Sequence, residues 1–172
     1  ISEYTAKDVQ AHINLKGKPF SIIYNGCNIN ETSLPTIPIQ APKEPFIFSI
    51  GTIAVKKNFH VLPALLAKNQ MQLVIAGITQ QPRYVEQIIA EAKKWGVENR
   101  LIFTGAISEN DKQWYYANCA AFVFPSLSEG FGLPLVEAMH FGKPVFISNA
   151  TSLPEIAGGA ACIFPDFDPV NM

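Results

Sequence analysis

The sequence has little charge of either sign: 13 Lys and Arg stand against 14 Asp and Glu, a net charge of −1. A chain so nearly neutral carries no electrostatic footprint for nucleic acid or for an acidic membrane surface. No apolar run reaches the length of a membrane span. Ile1-Ser2-Glu3-Tyr4 has neither the basic start nor the apolar centre of a secretory leader. Cysteine is scarce and odd in number: Cys27, Cys119 and Cys162 lack metal-ligand spacing, and the last two sit among apolar residues. They read as buried, reduced thiols, which points to a reducing, cytoplasmic setting. In that setting the Asn-x-Thr triplets at Asn30 and Asn149 are chance matches. With 48% hydrophobic and only 16% charged residues, the 172-residue chain is globular rather than disordered, and long enough for one sizeable core. The start at Ile1 rather than Met suggests a piece of something larger.

What is present is an alternation. Short, continuously apolar runs at 46–50, 72–76, 101–103, 121–124, 145–147 and 161–164 read as strands. Between them, 59–68, 83–95, 109–118 and 133–141 read as helices. In the second of these, Val85, Ile88, Ile89 and Ala92 share a face, and Gly96 fits the end; Gly142-Lys143-Pro144 stops the last. Strict β-α alternation with apolar strands predicts an α/β, Rossmann-like parallel sheet with helices on both faces. The first forty residues differ. A short helix over 5–12 and a strand over 20–24 precede a Pro- and Asn-rich stretch over 25–45, which has linker composition. A boundary near residues 33–43 divides the end of one domain plus linker (1–42) from a second domain (43–172).

The densest chemistry lies in Ser126-Leu-Ser-Glu129-Gly130-Phe131-Gly132-Leu133-Pro-Leu-Val-Glu137. Two glycines before a helix let the backbone approach a ligand, and the amides of Phe131, Gly132 and Leu133 would face outward from the helix start, an anion site. Alone, Gly-x-Gly equally describes a tight turn. Glu129 and Glu137 flank these amides, an arrangement that suits sugar hydroxyls at both ends of a ligand with phosphate between. Eight helical residues separate two groups by only about 12 Å. Taken singly, Glu129 also fits a dipole-stabilising residue and Glu137 a helix glutamate. Lys57 follows the first strand on the edge where such sheets bind ligands, and its ammonium suits phosphate; an ordinary surface lysine is the alternative. Ser152-Leu-Pro-Glu155 fits a capping box, His140 a packed side chain, and Asp166-Phe-Asp168 a turn rather than a metal site. A dinucleotide fingerprint fails because its third glycine position is Leu135, and a P-loop fails because Pro144 follows Gly142-Lys143.

Together these segments resemble the C-terminal, donor-binding half of retaining glycosyltransferases of family 4 (group 1), which have the two-domain GT-B fold. The Glu129-x7-Glu137 segment is similar to the family's most specific motif. Ile50-Gly51 through Lys57-Asn58, Ile102-Phe-Thr-Gly105 and Ser152 through Gly158 support it, as do Ser2-Glu-Tyr-Thr and Ile23-Tyr-Asn25-Gly26. The resemblance implies that Glu129 contacts the donor sugar and supports charge at its anomeric carbon, while Glu137 accepts bonds from the ribose. It further implies that the amides of Gly130, Phe131, Gly132 and Leu133 hold sugar and phosphate, that Lys57 neutralises the diphosphate, and that Ala106 and Ile107 face the base. The expected substrates are a nucleotide-sugar donor and a glycan or lipid-linked acceptor of surface polysaccharide synthesis, with no cofactor, no metal and no nucleic acid. The parent enzyme would be cytoplasmic and peripheral at a membrane, and this chain alone inactive. Alternatives are another GT-B enzyme, such as a sugar-nucleotide epimerase or a sucrose synthase-like protein, and a non-catalytic sugar-nucleotide-binding module. One position departs from the family: Thr52 stands where an Arg is usual, leaving Lys56 and Lys57 as the nearby cations.

Overall fold

The computed structural model describes residues 1–27, 29 and 36–172. Asn30-Glu31-Thr32 and part of the expected boundary at 33–43 lie outside the described residues. Six parallel strands, β1 (Phe46–Ile50), β2 (Gln72–Ala76), β3 (Leu101–Gly105), β4 (Ala121–Phe124), β5 (Val145–Ile147) and β6 (Cys162–Ile163), form one sheet in the order β3-β2-β1-β4-β5-β6. The chain winds outward from β1 to β3, then returns to place β4 on the other side of β1. The gap between the carboxyl ends of β1 and β4 is therefore a topological switch point, where loops diverge and leave a crevice.

Period-two alternation explains why both sheet faces bury. Phe46, Phe48, Val74, Phe122, Phe124 and Ile147 point to one side, against α3 (Glu109–Asn118), α4 (Leu133–His140) and α5 (Leu153–Ala157). Ile47, Leu73, Ile75 and Val123 point to the other, against α2 (Pro82–Lys94) and the turn-rich stretch Phe59–Leu66. Gly77, after β2, has φ +139, and a Cβ there would lie 2.0 Å from the Gly51 carbonyl oxygen, so the ends of β1 and β2 approach only because this position has no side chain.

Several local expectations need correcting. Residues 59–66 form a 3₁₀ helix rather than an α-helix. Pro63 lies inside it and lacks the amide that an α-helical ladder needs. The buried face of α2 is Tyr84, Ile88 and Ala92, with Val85 and Ile89 beside it. Residues 20–24 are not a strand: Phe20, Ile23 and Tyr24 are exposed, and no ladder partner pairs with them among the described residues. α1 spans Glu3–His12. Cys119 is buried, and burial pushes its thiol up to about 11, but Cys162 is exposed on the last strand; all three cysteines are unbridged. His140 is exposed, with its ring edge-on to Phe141, rather than packed. Asp166 and Asp168 form the expected turn, each carboxylate accepting the amide two residues on. Among the described residues no helix is long and apolar enough to cross a membrane.

Candidate functional site

The loop after β1 carries Lys57 and the loop after β4 carries Glu129, so the switch point brings together residues distant in sequence. Lys57 Nζ donates to Glu129 Oε1 at 2.5 Å, with only 11% and 15% of the two side chains exposed. The ammonium also lies 4.8 Å from the centroid of the Phe124 ring, at the end of β4. Lys57 is thus no free surface lysine. It is folded inward by the left-handed Asn58 (φ 57), which ends the one-turn helix Val55–Lys57. Lys56, by contrast, is exposed; its carbonyl accepts from the Leu127 amide and ties the two loops together. Thr52 is half-buried.

Glu129 is held from the far side by Thr151, which the sequence does not flag, and by Ser152, which it assigns to a helix cap. Its amide donates to Thr151 Oγ1 at 2.9 Å, and the Ser152 hydroxyl lies 3.0 Å from the Glu129 carbonyl and 3.2 Å from that of Phe131. Thr151 is a β-branched residue at φ 53, a strained conformation that persists only where surroundings enforce it. Ser152 therefore braces the Glu129 loop instead of capping α5, and Glu155 accepts from the amides of Glu3 and Tyr4 and from the Tyr24 hydroxyl. The capping-box expectation is overturned because both side chains have longer-range partners.

Gly132 sits at φ +98, and a Cβ there would lie 2.7 Å from Leu153 Cδ2. That conformation turns the chain into α4 and leaves the amides of Phe131, Gly132 and Leu133 without a backbone or side-chain acceptor among the described residues. Among the described residues two buried side-chain donors, Asn58 Nδ2 and Ser126 Oγ, also have no partner. Both belong to the same two loops, and unsatisfied buried polar groups are rare enough to mark a site. The Gly130 carbonyl lies 3.0 Å from the Ser2 hydroxyl and 3.1 Å from that of Thr5, so the start of α1 rests on this loop.

Glu137 belongs to a second ion-paired group. Lys112 Nζ donates to its Oε1 at 2.8 Å and the Tyr116 hydroxyl to its Oε2 at 2.8 Å. Lys112 also pairs with Glu109 at 2.8 Å. Burial pulls the Lys112 ammonium down, but its bonds to Glu109 and Glu137 outweigh this and hold its pKa above the ordinary lysine value. Tyr116 is pushed well above the ordinary tyrosine value by burial, reinforced by the Glu137 carboxylate. Ala106 and Ile107, after β3, line a recess of about 390 Å³ with Ile37, Ile39, Asp111 and Tyr115. The sequence-predicted residues thus fall into three groups: Lys57 with Glu129 and the 130–133 turn, braced by Thr151 and Ser152; Glu137 on α4 with Lys112 and Tyr116 of α3; and Ala106 with Ile107 after β3. A larger open recess, lined by Val55, Gln80, Arg83 and Gln87, starts from the same one-turn helix as Lys57, but none of its lining residues belongs to the ion pairs described above.

Comparison with known proteins identifies the family and the fold. The profile of the family described as Glycosyl transferases group 1 matches residues 35–166. A serotype-specific mannosyltransferase WbdA of Escherichia coli is 38% identical over 133 residues, 73% of this chain and 16% of the relative. The O-antigen chain mannosyltransferase RfbU of Salmonella typhimurium is 26% identical over 168 residues, 95% of this chain and 45% of the relative. The chain thus spans less than half the length of these relatives. Among solved structures, the lipopolysaccharide-biosynthesis glycosyltransferase WaaG superposes with TM-score 0.71 at 20% identity, over 99% of this chain and 50% of that one, a likeness of fold. Anabaena HepE in complex with UDP-glucose gives TM-score 0.64 at 26% identity, over 70% and 35%. The fold is the Rossmann-like half of a GT-B glycosyltransferase, and the chain belongs to the glycosyl transferases group 1 family.

Proposed function

We propose that this chain is the donor-binding part of a retaining glycosyltransferase that moves a hexose from a nucleoside-diphosphate sugar to a glycan or glycolipid acceptor in surface-polysaccharide synthesis. The observation that carries the reading is the Lys57–Glu129 pair, nearly buried across the switch point between β1 and β4 and followed in sequence by amides that have no acceptor among the described residues. In this reading the diphosphate lies against the amides of Phe131, Gly132 and Leu133, where the helix start favours negative charge. An ammonium has three donors, so Lys57 can keep Glu129 and still reach a phosphate oxygen. As the bond to the anomeric carbon breaks, negative charge grows on the leaving diphosphate and is met by Lys57 and these amides, with no step routed through a metal. Glu129, fixed by Thr151 and Lys57, faces the sugar and supports the opposite charge at its anomeric carbon. Glu137 receives the ribose hydroxyls, and the recess at Ala106 and Ile107 receives the base. The names of the mannosyltransferase relatives make mannose the first sugar to try. Because the chain spans under half of those relatives, acceptor binding and transfer are assigned to the whole cytoplasmic, membrane-peripheral enzyme, and this chain alone binds donor without transferring sugar.

Calorimetry with UDP, GDP and ADP tests the reading. One of them binds, and Glu137→Gln weakens it by roughly 1.5–3 kcal/mol, the worth of hydrogen bonds to a charged group. Absence of binding by all three rejects the donor-site assignment, and unchanged affinity in the variant rejects the ribose role. An inverted anomer from the full-length enzyme rejects the retaining assignment.

A further inference from the structure

Nothing in the Glu129-x7-Glu137 pattern says how the second carboxylate is aimed, and a glutamate has three side-chain torsions to fix. In the structure two donors on one face of α3 fix it. Lys112 and Tyr116 are four residues apart, hence neighbours on the helix surface, and each takes one oxygen of Glu137 at 2.8 Å. Tyr116 is fully buried, stacked on Phe141 (centroids 5.8 Å, 12° between planes) and edge-on to Phe48 (5.1 Å), so its hydroxyl cannot wander. Lys112 is anchored by Glu109 as well as Glu137, with only 17% of its side chain exposed. A carboxylate oxygen offers two lone pairs, and the clamp occupies one on each. Each oxygen therefore keeps one lone pair for a further hydrogen bond.

We propose that Lys112 and Tyr116 are positioning residues for donor recognition: they clamp the Glu137 carboxylate so that its free lone pairs meet the vicinal diol of the donor's ribose. The proposal rests on the donor-site reading given above and adds the residues that set its ribose selectivity. A tie between α3 and α4 that served stability alone would not alter the response to the diol.

The test measures, by calorimetry on the full-length protein, the affinity ratio between a nucleoside diphosphate (UDP, GDP and ADP in turn) and its 2′,3′-dideoxy counterpart. In the wild type the ratio for the nucleotide that binds is about tenfold or more, as expected for bonds to a charged acceptor. Lys112→Met and Tyr116→Phe reduce that ratio several-fold while leaving affinity for the dideoxy compound unchanged, and Lys112→Arg, which keeps a cation, retains it. Folding of each variant is checked by its melting transition; should Lys112→Met fail to fold, Tyr116→Phe, which removes only the hydroxyl, decides. A wild-type ratio in folded variants overturns the clamp and leaves the donor site standing. A wild type that binds none of the diphosphates overturns the donor site itself, and one that binds without preferring the diol overturns the ribose role of Glu137 and the clamp with it.

Discussion

Lys57 and Glu129 are held 2.5 Å apart with little solvent to replace either partner. Removing one leaves the other an uncompensated charge in a confined site, so Lys57→Met lowers unfolding free energy by about 2–4 kcal/mol, somewhat less than a fully buried pair because both side chains keep some exposure. Lys57→Met combined with Glu129→Gln restores part of that loss. Denaturant titration of the single and double variants checks this; equal stability of Lys57→Met and wild type would show the pair to be an ordinary surface contact. At this scale the sequence is half legible. Glu129, Glu137 and Lys57 announce themselves by type and spacing on loops and a helix start. Thr151 and Ser152 do not, because Ser-Leu-Pro-Glu satisfies a local capping pattern and only the tertiary structure redirects the hydroxyl to the Glu129 loop. Lys112 does not either: on sequence it is one polar residue among several in α3, and its partner Glu137 lies 25 positions away.

Elements were more legible than contacts. β1, β2, β4, β5 and α3 fall where apolar runs and amphipathic periods place them, since strands buried on both faces leave an unambiguous pattern. Misreadings cluster where a local rule competes: Pro63 turns a helical period into 3₁₀, and 20–24 has strand composition without a neighbouring strand. α1 shows how far apart its determinants lie. Its first amides are capped by Ser2 (from Thr5, 3.0 Å) and by Glu155 (from Glu3 and Tyr4, 2.7 and 3.0 Å), a residue of α5. Burial nudges the Glu155 carboxyl upward, but the two amides and the Tyr24 hydroxyl win, and its pKa lies below the ordinary carboxylate value. A depressed carboxylate pKa means that the tie is present above the unfolded value, near 4.3, and is lost as pH falls through the lower folded one. Glu155→Gln imitates that loss at neutral pH. Amide hydrogen exchange over 3–12 accelerates in the variant while exchange in the sheet is unchanged; equal protection of α1 would show that Ser2 and Thr5 hold it unaided.

For the whole molecule, one topological fact organises the rest. Strand order β3-β2-β1-β4-β5-β6 puts the reversal between β1 and β4, and the residues with the strongest chemical claim, Lys57 and Glu129, follow those two strands. Alternation of elements makes a parallel sheet legible in the sequence, but strand order depends on which helices cover which face, and so the meeting of Lys57 with Glu129 across 72 residues is visible only in three dimensions. The central claim is that this crevice holds the diphosphate of a sugar nucleotide. Its most direct measurement is a heteronuclear NMR titration of the chain with UDP, GDP and ADP. The account predicts that one of them shifts the amide resonances of Phe131, Gly132 and Leu133 together with those of Ala106 and Ile107, leaving the opposite sheet edge undisturbed. Shifts confined to the recess at Gln80, Arg83 and Gln87, or no shifts with any of the three, would contradict it.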